Sequence, residues 1–386
     1  MDVKTIAFYL PQFHTIPEND VAYGKGFTEW TNTKKAKPLF EGHYQPRTPL
    51  NQNYYCLLEK GVMEEQAKLA KKYGVYGFCY YHYWFKNGKK LLEKPLELML
   101  DNPEINIPFC LCWANENWSK RWDGGNNDVI VEQDYGDLDD LNKHVDYLCR
   151  FFKDPRYIKE NDMPILIIYK PELIPNLKKV VAAIRMRTQY NGFEGIKLIV
   201  QYPKFYFDGS NLNLFDNYIQ FEPKFIQDYE KDQYRSNNKK KIKRLLLNLG
   251  FYSLVNFIEK KLGEKNTNNT KPSLEVRDYD KDWCEILKYP VKDKRMIAGA
   301  FVDWDNTPRN RNGLCYIGAT PEKFENNMTK LVRKIDKEYK SNFVFINAWN
   351  EWAEGAYLEP DEKNKYAYLE ALKSALQEES YRGEEF

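Results

Sequence analysis

Short apolar runs alternate along this chain with longer stretches in which apolar residues recur at helical spacing. Most of the runs are apolar at every position, which is typical of parallel strands covered on both faces. They predict eight strands: Thr5–Leu10, Tyr76–Tyr81, Pro108–Trp113, Ile165–Tyr169, Leu198–Tyr202, Tyr218–Phe221, Ile297–Val302 and Phe343–Ala348. The stretches between them predict amphipathic helices, among them Val62–Tyr73, Leu138–Phe152, Leu177–Tyr190 and Lys323–Tyr339.

Eight buried strands joined by helices indicate an α/β fold, a (β/α)8 TIM barrel. A doubly wound open sheet is the alternative, and that fold favours a glycine-rich first turn that binds phosphate. The first turn here is Pro11-Gln12-Phe13-His14, which contains no glycine, so we expect the barrel. At 386 residues, the chain fits one barrel domain that spans 1–386.

Two segments interrupt the alternation and predict long loops after the first and sixth strands. Residues Pro17 to Asn53 are polar and aromatic, and long loops in compact domains are commonly functional. Residues 224–290 contain a basic run from Lys239 to Arg244, followed by an amphipathic stretch that ends near Leu262. We expect this basic helical insertion either to cap the barrel or to contact an anionic membrane surface through 239–262.

Charge and composition narrow the classes of function. Lys and Arg number 58 and Asp and Glu 56, so the net charge of +2 gives no electrostatic case for a nucleic-acid partner. Aromatic residues make up 16% of the chain, which fits sugar stacking and a bulky core equally well. The seven cysteines lack the spacing of a disulfide scaffold and the N-terminus lacks a signal-like cleavage region. We therefore expect a reducing, cytoplasmic location.

The candidate chemistry lies mainly where the predicted strands end, which is where barrel enzymes carry their sites. Aromatic rings there can cover the faces of a pyranose, and amides and carboxylates can bind its hydroxyl groups. The expected partner is therefore an oligo- or polysaccharide. The predicted binding residues are His14, Glu29, Trp30, His82, Trp84, Trp113, Asn115, Glu116, Trp118, Asp303, Trp304, Asn350, Trp352 and Glu359.

Glu351 and Glu354 follow the last strand and form the predicted catalytic pair. In a turn, their spacing brings the two carboxyl groups to roughly 5–6 Å, close to the separation in retaining glycosidases. Gly355 permits a sharp turn at this point. Two carboxyl groups in a dry pocket cannot both ionise freely, so one pKa is expected to rise and leave an acid beside a base. The alternative is a pair of solvated loop glutamates.

Other polar residues have two interpretations each. Glu116 either binds a sugar hydroxyl or assists the chemistry, or it only forms a salt bridge with Arg121. His14 and His82 either line the site as hydrogen-bonding residues or shuttle protons. Asp303 and Asp305 have the spacing of the metal-holding Asp-x-Asp of nucleotide-sugar transferases, which alone is a weak signal. No histidine array indicates a metal, and we expect neither a metal nor another cofactor.

Four segments resemble the WbsX family, which is often described as glycosyltransferases of bacterial lipopolysaccharide O-antigen and capsule clusters. They are Ala7-Phe8-Tyr9-Leu10-Pro11-Gln12-Phe13-His14, Gly26-Phe27-Thr28-Glu29-Trp30, Trp113-Ala114-Asn115-Glu116-Asn117-Trp118 and Trp349-Asn350-Glu351-Trp352-Ala353-Glu354-Gly355. The resemblance covers nearly the whole chain except the basic insertion. A narrower resemblance, through Glu351-Trp352-x-Glu354-Gly355 and the barrel, is to glycoside hydrolase family 99, the endo-α-mannosidases and endo-α-mannanases.

The resemblance to family 99 implies a role for each glutamate. Glu351 would deprotonate the 2-hydroxyl of the sugar, which attacks its own anomeric carbon and gives a 1,2-anhydro sugar. Glu354 would protonate the leaving oxygen and then activate water. The hydrolases have a histidine where this chain has Ala353, so the resemblance leaves the identity of the substrate open.

Three functions fit these features. The first is a retaining glycosidase or transglycosidase that acts on a mannose-like unit of a bacterial surface polysaccharide. The second is a glycosyltransferase that uses a nucleotide-linked or lipid-linked sugar, although the sequence shows no glycine-rich or basic nucleotide cradle. The third is a non-catalytic glycan-binding barrel, against which the acidic pair argues.

Overall fold

The eight predicted strands form a closed parallel barrel. The computed structural model describes residues 2–120, 128–201, 211–233 and 274–382. The barrel strands are β1 (Lys4–Tyr9), β2 (Val75–Trp84), β3 (Phe109–Trp113), β4 (Met163–Ile168), β5 (Lys197–Val200), β6 (Asn217–Ile219), β7 (Met296–Phe301) and β8 (Phe343–Asn347). Neighbours in the chain pair in parallel, and β8 pairs with β1 to close the sheet. The prediction of a (β/α)8 barrel is confirmed.

Helices occupy the connections between the strands. They are α1 (Pro17–Tyr23), α2 (Glu29–Lys35), α3 (Val62–Lys72), α4 (Lys94–Asp101), α5 (Leu138–Phe152), α6 (Leu177–Tyr190), α7 (224–233), α8 (Tyr279–Lys288), α9 (Pro321–Glu338) and α10 (Ala367–Arg382). The four helices predicted from the sequence correspond to α3, α5, α6 and α9. Helices α1 and α2 lie in the long segment after β1, which the sequence analysis predicted as a loop.

The alternation of side chains along β2 and β3 decides what each residue contacts. Phe8 and Tyr81 stack inside the barrel, with ring centroids 5.7 Å apart. The next position, His82, is aligned with Trp113 of β3, and both contact His144 of α5 on the outside of the barrel. Residues adjacent in sequence therefore belong to different environments, one inside the barrel and one under the helices.

Described parts of the predicted insertion at 224–290 belong to the wall of the barrel. In α8, Trp283 stacks on Phe301 of β7 with the ring centroids 5.5 Å apart. Arg277, which precedes α8, pairs with Glu230 of α7 at 2.6 Å, so these two segments contact each other. The stretch 239–262, for which we predicted membrane contact, lies outside the described residues. Within the described ranges, no helix is long and apolar enough to cross a membrane.

Candidate active site

A cavity of about 1160 Å³ opens at the carboxyl ends of the barrel strands. Ligand pockets for small molecules typically hold about 300–1,000 Å³, so this cavity has room for an extended ligand. The residues that line it lie at or beyond the ends of several strands, as expected for a barrel enzyme. They include Gln12, Tyr81, Tyr83, Glu116, Trp118, Lys170, Trp304, Arg309, Glu351 and Glu354.

A tight turn after β8 presents the two predicted catalytic glutamates to this cavity. Asn350–Glu351 pairs with Ala356–Tyr357 in antiparallel fashion, and Trp352–Glu354 forms a 3-10 turn between them. Gly355 closes the turn with a φ of 62°, which is in the left-handed region. A Cβ atom at this position would lie 2.9 Å from Cζ of Arg47, so both conformation and space favour glycine.

Arg309, in the loop after β7, joins the two glutamates. Its Nη2 donates to Oε2 of Glu351 at 3.1 Å, and its Nη1 donates to Oε1 of Glu354. The same guanidinium donates to Oε1 of Glu29 from Nε at 3.1 Å and from Nη2 at 2.6 Å. One cation therefore contacts three carboxylates, two of which line the cavity.

The sequence analysis did not select Arg309, although a signal was present. Acidic groups in a dry pocket require a cation or a proton, and Arg309 follows the seventh predicted strand at the end where Glu351 and Glu354 were expected. The need of the acidic pair for a nearby cation is therefore the signal in the sequence that indicates this arginine.

Burial controls the titration of the glutamate pair. Burial, together with the negative charge of Glu354, raises the pKa of Glu351 to about 8, although Arg309 opposes the rise. Burial also raises the pKa of Glu354, again against the effect of Arg309. Both shifts favour the protonated carboxyl, so the pair binds a proton more strongly than two solvated glutamates would.

Gln12, Tyr81 and Tyr83 form part of the cavity wall, and the sequence analysis did not select them. The Gln12 amide donates from Nε2 to the Tyr83 hydroxyl at 3.3 Å. Gln12 is 2% exposed, and its Oε1 has no hydrogen-bond partner among the described residues. A buried acceptor at a cavity wall is suited to the hydroxyl group of a ligand.

Glu116, Trp118 and Trp304 also line the cavity, as predicted binding residues should. Glu116 forms an ion pair with Lys170 at 2.6 Å, and both side chains are partly exposed. Trp118 packs edge-on against Tyr83, with ring centroids 4.9 Å apart, so its ring is fixed in the wall. These residues provide a charged and an aromatic surface beside the glutamate pair.

The remaining predicted binding residues do not line this cavity. His82, Trp84 and Trp113 point outward from β2 and β3 and pack around His144, with Nε2 of His82 3.0 Å from Nε2 of His144. Burial lowers the pKa of His82 to about 3 and holds the pKa of His144 well below its ordinary value. This cluster is sealed and neutral, so we leave these residues out of the proposed site.

Asn115 and Asn350 bond to the backbone of neighbouring segments. Oδ1 of Asn350 accepts from the Leu10 amide at 2.7 Å, and its Nδ2 donates to the Leu10 carbonyl at 3.1 Å. Asn115 makes the same pair of contacts with Lys170, at 2.9 and 2.8 Å. Each side chain thus mimics a peptide group and fixes the chain just beyond a barrel strand.

Trp30, Trp352 and Glu359 form a buried cluster behind the catalytic turn. The rings of Trp30 and Trp352 lie 5.4 Å apart, and the Trp352 indole donates to Glu359 at 2.7 Å. Tyr55 and Gln66 also donate to Glu359, at 2.8 and 2.7 Å. Burial nevertheless raises the pKa of Glu359 to about 7. The cluster packs behind the catalytic turn, and its three residues do not line the cavity.

Asp303, Asp305 and His14 lie away from the main cavity. Asp303 pairs with Arg47 at 2.8 Å, and both line a second cavity of about 150 Å³. Nε2 of His43 lies 2.8 Å from Asp305, so the Asp-x-Asp pair is held by basic side chains of the protein. His14 is buried, and burial lowers its pKa to about 4. In the part of the chain that the structure describes, no group of His, Cys, Asp or Glu side chains is arranged to hold a metal ion.

Comparison of the sequence with known families and proteins gives a match along nearly the whole chain. The model of the family described as "Glycosyltransferase WbsX" matches residues 5–372. Two relatives named "Uncharacterized protein WxcX", from Xanthomonas campestris pv. campestris strains B100 and ATCC 33913, are each 37% identical over 387 residues, which covers 96% of this chain. The chain spans about half the length of these relatives, since the match covers 49% of each.

Solved structures share the barrel at low sequence identity. The GH99 endo-α-mannosidase of Bacteroides thetaiotaomicron, in complex with bis-tris propane, superposes with a TM-score of 0.54 at 11% identity over 98% of each chain. A structure described as a glycoside hydrolase-like protein gives 0.54 at 15% identity, over 97% of this chain and 94% of its own. At these identities the likeness shows the fold. The family match shows that the chain belongs to the WbsX glycosyltransferase family, a family of carbohydrate-active enzymes, and the structural likeness shows that it has the barrel of GH99.

Proposed function

We propose that the protein is a retaining glycosidase or transglycosidase that acts on a mannose-like unit of a bacterial surface polysaccharide. The observation that carries this proposal is the pair Glu351 and Glu354, joined by Arg309 at the wall of a cavity with room for a glycan. Membership of a carbohydrate-active family supports the class of substrate. The barrel shared with an endo-α-mannosidase supports a mannose-like sugar.

The proposed reaction proceeds through a 1,2-anhydro sugar. Glu351 takes the proton of the 2-hydroxyl, whose oxygen attacks the anomeric carbon while the bond to the leaving oxygen breaks. Glu354 gives its proton to that leaving oxygen. Glu354 then takes a proton from water or from an acceptor hydroxyl, whose oxygen opens the three-membered ring, and O2 regains its proton from Glu351. The anomeric configuration is retained because two inversions occur.

The exposure of the two glutamates supports this division of roles, which requires the proton of the resting pair to lie on Glu354 although the pKa of Glu351 is raised to about 8. The Glu354 side chain is 22% exposed and that of Glu351 only 9%. The acid must reach the leaving group, which departs towards the opening, and must later meet water or an acceptor. The deeper Glu351 is better placed to contact the sugar ring itself. Gln12, with its free acceptor, is proposed to bind a hydroxyl of the same ring.

Of the four cationic side chains that line the cavity in the described residues, three are paired with carboxylates, and the fourth, Lys231, has no ion pair there. The three pairings favour a glycan donor over a nucleotide-linked one. A diphosphate requires unneutralised cations or a helix N-terminus. Lys170 is paired with Glu116 at 2.6 Å, and Lys224 with Asp228 at 2.6 Å. Arg309 is shared by three carboxylates. The family's description favours the alternative, a glycosyltransferase with a nucleotide-linked or lipid-linked donor, so the experiment includes that donor.

The seven cysteines form no disulfide bond, which supports a reducing compartment. We therefore propose a cytoplasmic location, where a surface polysaccharide would be trimmed or extended during its assembly. Fractionation of cells that produce the protein, followed by immunodetection, tests this part of the proposal.

The test compares Glu354→Gln and Glu351→Gln with the wild-type protein on α-mannose-containing oligosaccharides, with products followed by mass spectrometry. Each variant is expected to lose about 10²–10⁴-fold in rate, because each removes a proton-transfer group. Binding of a mannose-configured iminosugar, measured by calorimetry, should survive. Glu97→Gln is the matched control, because Glu97 is a partly buried glutamate paired with Lys90 at 2.9 Å and absent from the cavity wall.

A parallel reaction with GDP-mannose and a mannoside acceptor separates the two candidate functions. Consumption of GDP-mannose without cleavage of the oligosaccharides would favour the glycosyltransferase. Full turnover of the oligosaccharides by both glutamine variants would refute the assignment of the catalytic pair. Binding of the iminosugar without turnover of either donor would favour a glycan-binding barrel.

A further inference from the structure

Glu29 lies next to the catalytic pair but is sealed off from the cavity. It is the first residue of α2, and its exposed fraction is 0%. Its Oε1 accepts two hydrogen bonds from Arg309, and Arg309 lines the cavity where Glu29 does not. A ligand in the cavity therefore meets the guanidinium of Arg309, and the carboxylate of Glu29 lies behind it.

Helix α2 gives Glu29 a fixed position. Thr28 caps the helix through reciprocal bonds with Thr31. The Trp30 indole donates to the Tyr55 carbonyl at 2.8 Å, and its ring packs against Trp352 of the catalytic turn. The helix is therefore anchored on both sides of Glu29 and against the turn that presents the catalytic pair.

We propose that Glu29 is a positioning residue that acts through Arg309, holding the guanidinium between Glu351 and Glu354 and offsetting part of its positive charge. The catalytic consequence of this inference rests on the proposed function, whereas the coupling of the charges does not. Arg309 is shared between Glu29 and the pair, because Nη2 contacts both Glu29 and Glu351. The catalytic carboxylates therefore experience a cation that a third carboxylate has partly neutralised.

The charges of Arg309 and Glu29 have opposite effects on the pKa values of Glu351 and Glu354. Arg309 opposes the rise in pKa that burial causes in Glu351 and Glu354, whereas Glu29 reinforces it. Without the charge of Glu29, the pKa of both carboxyl groups would rise less above its ordinary value, and a smaller fraction of the pair would hold the proton needed for the first step. Without Arg309, the pair would retain its proton to higher pH, and the base would be lost.

The experiment measures the titration of the pair in the resting protein, which requires no substrate. Carbon-13 NMR of glutamate labelled at the side-chain carboxyl follows the wild type, Glu29→Gln and Arg309→Gln, with signals assigned through Glu351→Gln and Glu354→Gln. Glu29→Gln is expected to move the titration to lower pH by roughly 1 unit or more, the effect of one neighbouring charge. Arg309→Gln is expected to move it to higher pH.

The pH profile of kcat/KM on the α-mannose-containing oligosaccharides tests whether the same shifts in titration affect catalysis. Activity falls as pH rises through the pKa of the acid, so the alkaline limb should shift to lower pH in Glu29→Gln and to higher pH in Arg309→Gln. Glu29→Asp keeps the charge but shortens the side chain, and it should lower kcat with a smaller shift of the titration. This variant also keeps the test informative if Glu29→Gln does not fold.

Asp282→Asn is the matched control, because Asp282 is also fully buried and holds an arginine, Arg277, at 2.7 and 2.8 Å. It contacts none of the catalytic residues and should lower stability without moving either titration. Unchanged titration in both Glu29→Gln and Arg309→Gln, or shifts of the same sign, would overturn the proposal. Opposite shifts together with full turnover by the Glu351 and Glu354 variants would keep the coupling and reject the proposed function.

Discussion

Both faces of β2 carry aromatic side chains, yet only the face of Tyr81 and Tyr83 borders the main cavity. Tyr81 and Tyr83 point towards the cavity, where Gln12 retains a free acceptor. His82 and Trp84 point the other way and pack against His144, and the two histidines contact each other at 3.0 Å. The outer cluster satisfies its polar groups internally and is sealed by α5. The inner face leaves polar groups to be satisfied by a ligand.

This difference shows that aromatic and polar density alone does not identify a binding site. What distinguishes the inner face is that its unpaired acceptor, on Gln12, borders the cavity beside carboxyl groups whose pKa burial has raised, whereas the unpaired Tyr80 hydroxyl on the outer face does not line that cavity. Both features arise when groups are desolvated without full compensation. Because strand side chains alternate, a single residue of shift moves a position from one environment to the other.

The largest effect is expected for Trp84→Ala, which removes an aromatic ring from the outer face of β2. Trp84 stacks on His144 with ring centroids 4.8 Å apart and is 8% exposed. Truncating a buried tryptophan is expected to lower the free energy of unfolding by about 3–5 kcal/mol. Urea unfolding followed by circular dichroism measures this loss. Affinity for the iminosugar should be unchanged, and a large loss of affinity with unchanged stability would place Trp84 in the site after all.

The fold could be predicted from the sequence because its signal is local. Each barrel strand is an apolar run, and the eight runs correspond to β1 to β8. The position of Glu351 and Glu354 at the cavity followed from their place after the last strand. The loop after β1 was harder, since α1 and α2 are short, seven-residue helices whose apolar residues show little periodicity.

The other features of the site could not be predicted, because they depend on contacts between residues that lie far apart in the sequence. Glu29 and Arg309 lie 280 positions apart, and only the closed barrel brings them together. Asn115 and Asn350 look like sugar-binding amides in the sequence, but both bond to backbone groups of neighbouring segments. Such partners are set by tertiary packing, which no pattern of residue types specifies. The same applies to which side of β2 faces the cavity.

The histidine pair of the outer cluster gives a second prediction, for stability against pH. The pKa of His82 is lowered to about 3 and that of His144 also lies well below its ordinary value. Below a pH of about 6.5 the unfolded chain therefore binds more protons than the folded one, and stability falls as pH decreases towards about 3. Between pH 6.5 and 5.5 the two histidines are expected to cost about 2 kcal/mol together.

Urea unfolding at a series of pH values measures this slope, with the double variant His82→Phe, His144→Phe as its control. Replacing both partners by apolar rings leaves no unpaired group, so the fold should persist. The slope between pH 6.5 and 5.5 should become shallower by about 2 kcal/mol per pH unit. An equal slope in both proteins would show that the outer cluster does not remain neutral in the folded state.

The smallest expected effect comes from removing one hydroxyl on either face of β2. Tyr83→Phe deletes the group that accepts from Gln12 at the cavity wall. It should weaken binding of the iminosugar by about 0.5–1.5 kcal/mol, because one hydrogen bond at the ligand-facing surface is lost. Tyr80→Phe is the matched change on the outer face, where the buried Tyr80 hydroxyl has no partner among the described residues.

Tyr80→Phe should leave the affinity unchanged and keep or slightly raise the free energy of unfolding, since it removes a polar group that is buried without compensation. Calorimetric titration measures the affinity of each variant for the iminosugar, and urea unfolding measures its free energy of unfolding. Equal losses of affinity in the two variants would mean that the hydroxyl groups act through the packing of β2. A loss confined to Tyr83→Phe would locate ligand recognition on the inner face, beside the glutamate pair.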